Sequence, residues 1–348
     1  MFHKHLIGAA LLICLLAACG GGGSSGPVAP AANTASGAPP QELGITAAMQ
    51  DGLQKGLDAA WVYVDEGGGS VETYFAGTED LRTGEPAKAD ALFKIASISK
   101  LFIAVSAVKL LDTGTLQLED TVAFWLPSLG DRLANAQQIN LRQLLQHRSG
   151  VPDFDSEPGF SWEVAHTDLD ALLALVVDDP ADFSPDERYA YSNTNYLLLG
   201  MILDAALGYS HHDFVRNEIL SPLGMVNTVS LLSEVDASLL VRGYWDGVDR
   251  TTQDYVVPGG SMISTVGETG AFLRALATGT LLSDAQRDLY LDLFANVGHS
   301  GWLPGYQSIA YYFEDIDTVV VQFVNNTGGT SEASSQDLFD SVVDSLYD

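Results

Sequence analysis

The segment Phe93-Lys94-Ile95-Ala96-Ser97-Ile98-Ser99-Lys100, which leads into Leu101-Phe102-Ile103-Ala104-Val105, decides the fold of this chain. On a helix, the residues that follow Ser97 leave almost no polar face, and this pattern is typical of a helix buried on nearly all sides. Thr113-Gly114 ends the pattern, because glycine commonly lies just past a helix C-terminus. The sequence therefore predicts a buried helix whose first turn carries Ser97 and Lys100.

Strand-like segments near both ends of the chain flank a helix-rich middle. Apolar strand-like runs occupy residues 61–64, 71–75, 308–313 and 319–324. Helical spacing of apolar residues precedes the first run, at 41–57, and follows the last one. We expect an α+β fold with one antiparallel β-sheet built from both chain ends and flanked by helices. A helical subdomain would be inserted at roughly 95–255.

Residues 1–19 have the features of a lipoprotein signal peptide. Lys4 precedes an apolar stretch that is too short for a membrane-spanning helix. Leu16-Ala17-Ala18-Cys19 resembles a bacterial lipobox, in which Cys19 would be lipidated. The alternative is an ordinary signal peptide that contains a cysteine. We expect a chain anchored by lipid in the cell envelope, facing the periplasm of the outer membrane if the host has two membranes.

Residues 20–40 are nearly all Gly, Ser, Pro and Ala, which is typical of a disordered tether. Residues 41–348 would then form the folded domain. The net charge of −29 excludes a nucleic-acid partner, because phosphate binding needs a basic face. Cys14 lies in the signal peptide, so neither a disulfide nor a cysteine metal site is expected. We expect a monomer without metal or cofactor.

Ser97 and Lys100 lie one helical turn apart, so the lysine amine can reach the serine hydroxyl. Free N–H groups at a helix start can stabilise an oxyanion, and a serine beside a base can act as a nucleophile. Lys100 must be neutral to act as that base, and burial can lower its pKa far enough. The alternatives are that Ser97 only caps the helix and that Lys100 lies at the surface.

A second serine–lysine pair, Ser106 and Lys109, has the same spacing. Ser106 follows Ser97 by nine residues, which is about 180° around a helix, so the two serines face opposite ways. In the middle of a helix, a serine usually bonds back to a carbonyl of the preceding turn. We therefore assign the nucleophile to Ser97.

Tyr191-Ser192-Asn193 lies in a polar turn before an apolar helical run that ends at Gly208. The Tyr191 hydroxyl can pass a proton between a nucleophile, a leaving group and water. The Asn193 amide offers a donor and acceptors, which suit an acyl side chain and Lys100. Alternatively, Asn193 caps the helix and Tyr191 is a packing residue.

His299-Ser300-Gly301-Trp302 forms a strand-like run before Pro304-Gly305. Gly301 would let the backbone approach a ligand, and Trp302 adds an aromatic surface. A histidine with a pKa of about 6.5 is mostly neutral above pH 7, and Ser300 offers only a hydroxyl. We expect this run to bind substrate. The alternative is a hairpin with an incidental histidine.

The three motifs, in this order, resemble those of the serine β-lactamase and penicillin-binding hydrolases. The chain looks most like the branch of class C β-lactamases, D-alanyl-D-alanine carboxypeptidases and family VIII-type esterases. The resemblance extends over about residues 43–345, with similar blocks at 93–114, 140–153, 191–224 and 259–282.

The resemblance implies acyl transfer through an ester of Ser97. Lys100 would take the serine proton, Tyr191 would relay it, and Asn193 would contact the substrate. The N–H groups of Ser97 and Trp302 would form the oxyanion hole.

Two departures from the resembled family bear on the substrate. His299 stands where β-lactamases usually have lysine, as in some carboxypeptidases and esterases, and no acidic general base for deacylation is evident. We expect hydrolysis of ester, amide or β-lactam carbonyls of small-molecule or peptidoglycan-type substrates, most like an esterase or D-alanyl carboxypeptidase. A class C β-lactamase and a non-catalytic binding lipoprotein with a degenerate site are the alternatives. We interpret His147 as structural, and His211 and His212 as surface residues.

Overall fold

The computed structural model describes residues 40–347, with side chains from residue 44 onwards. The predicted signal peptide, Cys19 and the predicted tether up to residue 39 lie outside the described residues. The helices are α1 (Pro40–Gln54), α2 (Ser99–Asp112), α3 (Val122–Trp125), α4 (Leu141–Leu145), α5 (Leu169–Leu173), α6 (Asn193–Leu207), α7 (His211–Val215), α8 (Ser221–Leu223), α9 (Val266–Thr278), α10 (Asp284–Leu293) and α11 (Ser331–Tyr347). The strands are β1 (Ala59–Asp65), β2 (Val71–Asp80), β3 (Glu85–Pro86), β4 (Phe93–Lys94), β5 (Tyr244–Trp245), β6 (Val248–Asp249), β7 (Ile263–Ser264), β8 (Gly298–Leu303), β9 (Tyr306–Phe313), β10 (Thr318–Val324) and β11 (Asn326–Thr327).

In the described part of the chain, six strands form one antiparallel sheet in the order β3-β2-β1-β10-β9-β8. The pairing of β1 with β10, which sets Ala60 opposite Val324, joins the two ends of the folded region. The α+β prediction, with an antiparallel sheet built from both ends, is confirmed. Most helices lie between β4 and β8 along the sequence.

Strand β1 is buried on both faces because a helical layer covers each of them. Trp61 and Tyr63 point into the larger core, which the helices of the middle segment share. Val62 and Val64 point into a smaller core with side chains of α1 and α11. Alternate residues of a strand point to opposite faces, so both layers depend on the same seven-residue strand.

Phe93 fixes the segment that leads to Ser97 on the sheet. Its side chain is fully buried, and its ring centroid lies 5.5 Å from that of Trp61, 5.1 Å from Tyr306 and 4.8 Å from Phe323. Ring contacts of this kind add to the stabilisation from buried area. The segment before Ser97 is therefore packed against β1, β9 and β10.

Helix α2 begins two residues after Ser97 and packs against α6, α7 and α10. Its burial confirms the pattern seen in the sequence, since most of its side chains are inaccessible to water. Helix α5 ends at Leu173, although apolar residues at helical spacing continue to Val177. Residues 174–177 form turns instead, and Asp178 follows in the left-handed conformation. Among the described residues, no helix is long and apolar enough to cross a membrane.

Candidate active site

Ser97 lies in a short 3-10 turn, Ala96–Ile98, directly before α2. Two hydrogen bonds hold this turn: Ser99 Oγ donates to the Ala96 carbonyl at 2.6 Å, and Ser308 Oγ donates to the Ile95 carbonyl at 2.8 Å. Ala96 has a φ of 49°, in the left-handed region that a non-glycine residue seldom occupies. The nucleophile candidate is therefore on a turn that the surrounding structure holds in a strained conformation.

Lys100 is only 2% exposed, and its amine makes three polar contacts. Nζ lies 2.9 Å from Ser97 Oγ, 2.8 Å from Asn193 Oδ1 and 3.0 Å from the carbonyl oxygen of Gly259. Burial lowers the pKa of Lys100 to about 7, against an ordinary value of 10.5. A substantial fraction of the amine is therefore neutral near pH 7 and able to accept a proton.

The Tyr191 hydroxyl donates to Ser97 Oγ at 3.0 Å and to Asn193 Oδ1 at 3.4 Å. Part of the ring is open to solvent, whereas burial of the hydroxyl end raises the pKa of Tyr191 above its ordinary value. Tyr191 therefore remains a protonated hydroxyl at neutral pH, which suits a proton donor or relay. The structure brings Ser97, Lys100, Tyr191 and Asn193 together, as the motifs predict.

His147 supports the Tyr191 ring, in agreement with its structural interpretation. The two rings stack with centroids 4.4 Å apart. His147 Nδ1 accepts a hydrogen bond from the Ser192 backbone N–H at 3.2 Å and another from Asn195 Nδ2 at 3.1 Å. Burial lowers the pKa of His147 well below its usual value, so the ring is neutral.

Two carboxylates that the motifs do not include lie beside Asn193. Asn193 Nδ2 donates to Asp153 Oδ2 at 3.3 Å and to Asp155 Oδ2 at 3.1 Å. Burial raises the pKa of both carboxyls. In the sequence, these residues follow the segment Leu144–Gly150, and their spacing matches no pattern typical of a catalytic or binding site. Only the family-like block that ends at Asp153 pointed to this segment.

Strand β8 runs alongside the Ala96–Ile98 turn, with Gly301 at the closest approach. A Cβ on Gly301 would lie 2.6 Å from the Ile95 carbonyl oxygen, 2.9 Å from Ala96 Cβ and 2.4 Å from Ser308 Oγ. No side chain fits there. Gly301 thus allows β8, including Ser300 and Trp302, to lie next to Ser97.

His299 is partly buried and its ring centroid lies 6.1 Å from that of Tyr191. Nδ1 contacts the Ser300 carbonyl oxygen. Burial, helped by the charge of Lys100, lowers the pKa of His299 to about 4. The ring is therefore neutral at pH 7, and His299 does not supply the cation that a lysine would.

Trp302 lies in a cluster of three tryptophans beside the turn. Its ring centroid is 5.4 Å from that of Trp162 and 6.1 Å from that of Trp245. The indole Nε1 donates to Glu332 Oε1 at 3.0 Å, which fixes the ring. The aromatic surface that the sequence predicts at Trp302 is thus formed together with Trp162 and Trp245, which belong to two other segments.

Arg148 and Arg242, two cations that could in principle serve a substrate carboxylate, are held by carboxylates of the protein. Arg148 bonds to Asp186 at 2.5 Å. Arg242 lies 3.7 Å from Asp80 and 3.9 Å from Asp249. Neither arginine contacts Ser97 or Asn193 through a hydrogen bond or ion pair.

Ser106 donates to the Phe102 carbonyl at 2.8 Å in the middle of α2, as its position predicts. The prediction that His211 lies at the surface is wrong. His211 is 2% exposed, because its Nδ1 and its backbone N–H both bind Asp204 Oδ1, at 2.8 and 2.5 Å. His212 is partly exposed. The described residues contain no cluster of histidine, cysteine and acidic side chains that could hold a metal ion.

The fold is of the β-lactamase and penicillin-binding type, and within it Lys100 and Tyr191 both contact Ser97. The family model described as Beta-lactamase matches residues 45–297, and the chain belongs to this family. The resemblance seen in the motifs is thereby confirmed. The match ends before His299, so the third motif lies beyond it.

Penicillin-binding protein 4* of Bacillus subtilis (strain 168) is 34% identical over 170 residues, which are 48% of this chain and 37% of that protein. The match to this protein, and to penicillin-binding protein 4 of Amycolatopsis lactamdurans, spans less than half of the length of each relative.

Two solved structures share the fold. The D-amino acid amidase of Ochrobactrum anthropi SV3, complexed with D-phenylalanine, has a TM-score of 0.76 at 26% identity, covering 88% of this chain and 99% of that chain. EstCE1, a hydrolase with promiscuous acyltransferase activity, has a TM-score of 0.73 at 20% identity, covering 89% and 99%. The likeness to EstCE1 is one of fold alone.

Replacement of Gly301 by alanine should displace β8 from the Ala96–Ile98 turn, since the new Cβ would overlap a backbone carbonyl. A displacement of about 1 Å can cost about 10²-fold in rate, so we expect kcat/KM on a p-nitrophenyl ester to fall by roughly that factor. Thermal unfolding separates this loss from a loss of folded protein. Gly267→Ala, in α9 where a Cβ meets nothing within 4 Å, is the control and should keep full activity. Unchanged kinetics of Gly301→Ala would contradict the close approach.

Proposed function

We propose that this protein is an acyl-enzyme hydrolase of the cell envelope that acts on ester or amide substrates without a carboxylate near the scissile bond. The observation that carries the proposal is the neutral His299 beside Ser97, where a lysine would supply a fixed cation. A neutral imidazole can donate a hydrogen bond to a carboxylate, but it lacks the attraction between opposite charges that a lysine ammonium adds. Two acidic residues beside Asn193 further disfavour an anionic substrate.

The contacts of Lys100 support its role as the base. Asn193 Oδ1 and the Gly259 carbonyl can only accept, so a neutral Lys100 amine donates its two N–H bonds to them. The remaining lone pair then faces the Ser97 hydroxyl, 2.9 Å away. Lys100 takes the hydroxyl proton as Ser97 Oγ forms a bond to the carbonyl carbon.

The proton then passes to the leaving group as the bond between that group and the carbonyl carbon breaks. The Tyr191 hydroxyl contacts the same Ser97 and Asn193 oxygens as Lys100, so it is placed to relay the proton. The backbone N–H groups of Ser97 and Trp302 would bind the oxyanion. Water later attacks the ester carbonyl as Lys100 takes one of its protons. The bond between the carbonyl carbon and Ser97 Oγ then breaks, Lys100 passes that proton to Ser97 Oγ, and the acid is released.

A second candidate activity is hydrolysis of D-amino acid amides. The tryptophan cluster around Trp302 offers an aromatic surface to the substrate. The related amidase of Ochrobactrum anthropi is named for such substrates and was solved with D-phenylalanine. This candidate uses the same acyl-enzyme steps, with a D-aminoacyl group as the acyl part and ammonia as the leaving group.

The location in the cell envelope rests on the lipobox ending at Cys19 and on relatives named penicillin-binding proteins. Lipidation of Cys19 would hold the domain near the membrane through the segment 20–40. Peptidoglycan-type acyl groups are then within reach, although the site chemistry favours those without a free carboxylate. We propose that the domain acts as a monomer.

Replacement of Ser97 by alanine should abolish covalent labelling by a fluorophosphonate, because Ser97 Oγ is the atom that Lys100 and Tyr191 both contact. Ser106→Ala is the matched control. It removes a serine of identical lysine spacing whose hydroxyl is bound to a backbone carbonyl, and labelling should be unchanged. Mass spectrometry of the intact protein measures the adduct. Equal labelling of wild type and Ser97→Ala would refute the assignment, and failure to label wild type would favour a non-catalytic binding protein.

The substrate class can be tested by measuring kcat/KM at pH 7.5 for p-nitrophenyl butyrate, D-phenylalanine amide, nitrocefin and a D-alanyl-D-alanine peptide. We expect the first or second to exceed the other two, because His299 is neutral and offers no charge to a carboxylate. His299→Lys should narrow the difference by restoring the cation. A preference of the wild type for nitrocefin would favour a class C β-lactamase, and a preference for the peptide would favour a carboxypeptidase.

Replacement of Cys19 by alanine should move the protein from the membrane fraction to the soluble fraction, or leave it unprocessed, since the lipid anchor would be lost. Cys14→Ala is the control, because Cys14 precedes the lipobox and its loss should not alter fractionation. Recovery of the wild type in the soluble fraction without lipid would overturn the anchor.

A further inference from the structure

We propose that Asp153 and Asp155 are positioning residues for acyl transfer, which hold the Asn193 amide with its oxygen toward Lys100. The inference rests on the proposed function, in which Lys100 is the base. It assigns a role to two side chains that lie in none of the three motifs.

The Asn193 side chain is bound at both ends. Its nitrogen donates to Asp153 Oδ2 at 3.3 Å and to Asp155 Oδ2 at 3.1 Å. Its oxygen accepts from Lys100 at 2.8 Å. When the two carboxyls are ionised they only accept hydrogen bonds, so the nitrogen of the amide then faces the two aspartates.

The orientation of this amide decides where the Lys100 lone pair points. With the oxygen toward Lys100, two acceptors take the two N–H bonds of the neutral amine, and the lone pair is left for the Ser97 hydroxyl. A reversed Asn193 would present N–H donors to the amine. The lone pair would then bind Asn193 and be unavailable to Ser97.

The backbone N–H groups of Asn193 and Asp155 also act on the Asp153 carboxyl and favour its ionised form, against the larger effect of burial. Asp153 Oδ1 is buried and has no hydrogen-bond partner. Asp155 has one further side-chain contact, with Ser156 at 3.3 Å. Burial disfavours the ionised form of both carboxyls, and the hydrogen bond from the Asn193 amide to Asp155 favours it.

The two carboxylates also act on the charge of Lys100. Their negative charges raise the pKa of Lys100, against the larger lowering by burial. The titratable groups that face Lys100 from the surrounding elements are Tyr191, Tyr196, His147, His299, Asp153 and Asp155. The two histidines and the two tyrosines are neutral near pH 7. The aspartates are therefore the groups whose removal changes the charge around the amine.

A double-mutant cycle between Asp155 and Asn193 tests the proposal. The readout is the acylation rate of the full domain with p-nitrophenyl butyrate, measured by stopped flow at pH 9, where Lys100 is neutral. Asp155→Ala should lower this rate by roughly 10-fold or more, because the amide is no longer held. In the Asn193→Ala background the same substitution should change the rate by less than about 2-fold. Equal losses in both backgrounds would overturn the proposal, because a merely structural role does not need Asn193.

Asp155→Asn is the conservative variant, since its side-chain oxygen can still accept from Asn193 Nδ2. The rate at pH 9 should return to near the wild-type value. The loss of a negative charge lowers the Lys100 pKa, so the acid limb of the pH–rate profile should move to lower pH. An acid limb that stays in place, or moves to higher pH, would contradict the contact between these charges.

Glu157→Gln removes a carboxylate two residues further along the same segment and is the matched control. Glu157 makes no hydrogen bond to Asn193, and we expect both the rate and the pH profile to be unchanged. Fluorophosphonate labelling of the wild type separates the two levels of inference. If the wild type is not labelled, the proposed function is wrong. If it is labelled but the effects of Asp155→Ala and Asn193→Ala on the rate are additive, only the role of Asp155 is wrong.

Discussion

The site depends on one lysine amine that is kept out of water while the neighbouring serine stays partly accessible. Lys100 is enclosed by the Tyr191 and Tyr196 rings, 5.1 and 5.5 Å from its amine, and by the backbone of Gly259. A side chain at position 259 would overlap Lys100, since its Cβ would lie 2.7 Å from Lys100 Cγ. Burial without an arginine or acidic partner in direct contact is what makes the amine a base near pH 7.

The sheet brings the remaining groups to this lysine from distant parts of the sequence. β1 and β10 form the middle of the sheet, and the β8–β9 hairpin extends it to the turn that carries Ser97. The helical segment supplies Tyr191 and Asn193 at the start of α6. The sheet and the helical segment each hold part of the site. Phe93 links them, because it precedes Ser97 and packs on three aromatic rings of the sheet.

The sequence predicts the parts of the fold and site that local patterns encode. The strands at both ends and the burial of α2 follow from apolar periodicity, and the proximity of Ser97 to Lys100 follows from helix geometry. The contacts of Asn193 with Asp153 and Asp155 could not be predicted, because they join segments about 40 residues apart through a loop without periodicity. His211 was misplaced for a similar reason. Two adjacent histidines appear polar in sequence, and only the folded chain brings Asp204 to one of them.

The adjacency of β1 and β10 also constrains how the chain reaches its native state. Ala60 pairs with Val324, so the central ladder closes only after nearly the whole domain has left the ribosome. Until β10 is available, the edge of β1 that pairs with it in the folded sheet has no partner. Non-local pairing of this kind makes folding slow and leaves unpaired strand edges exposed to aggregation.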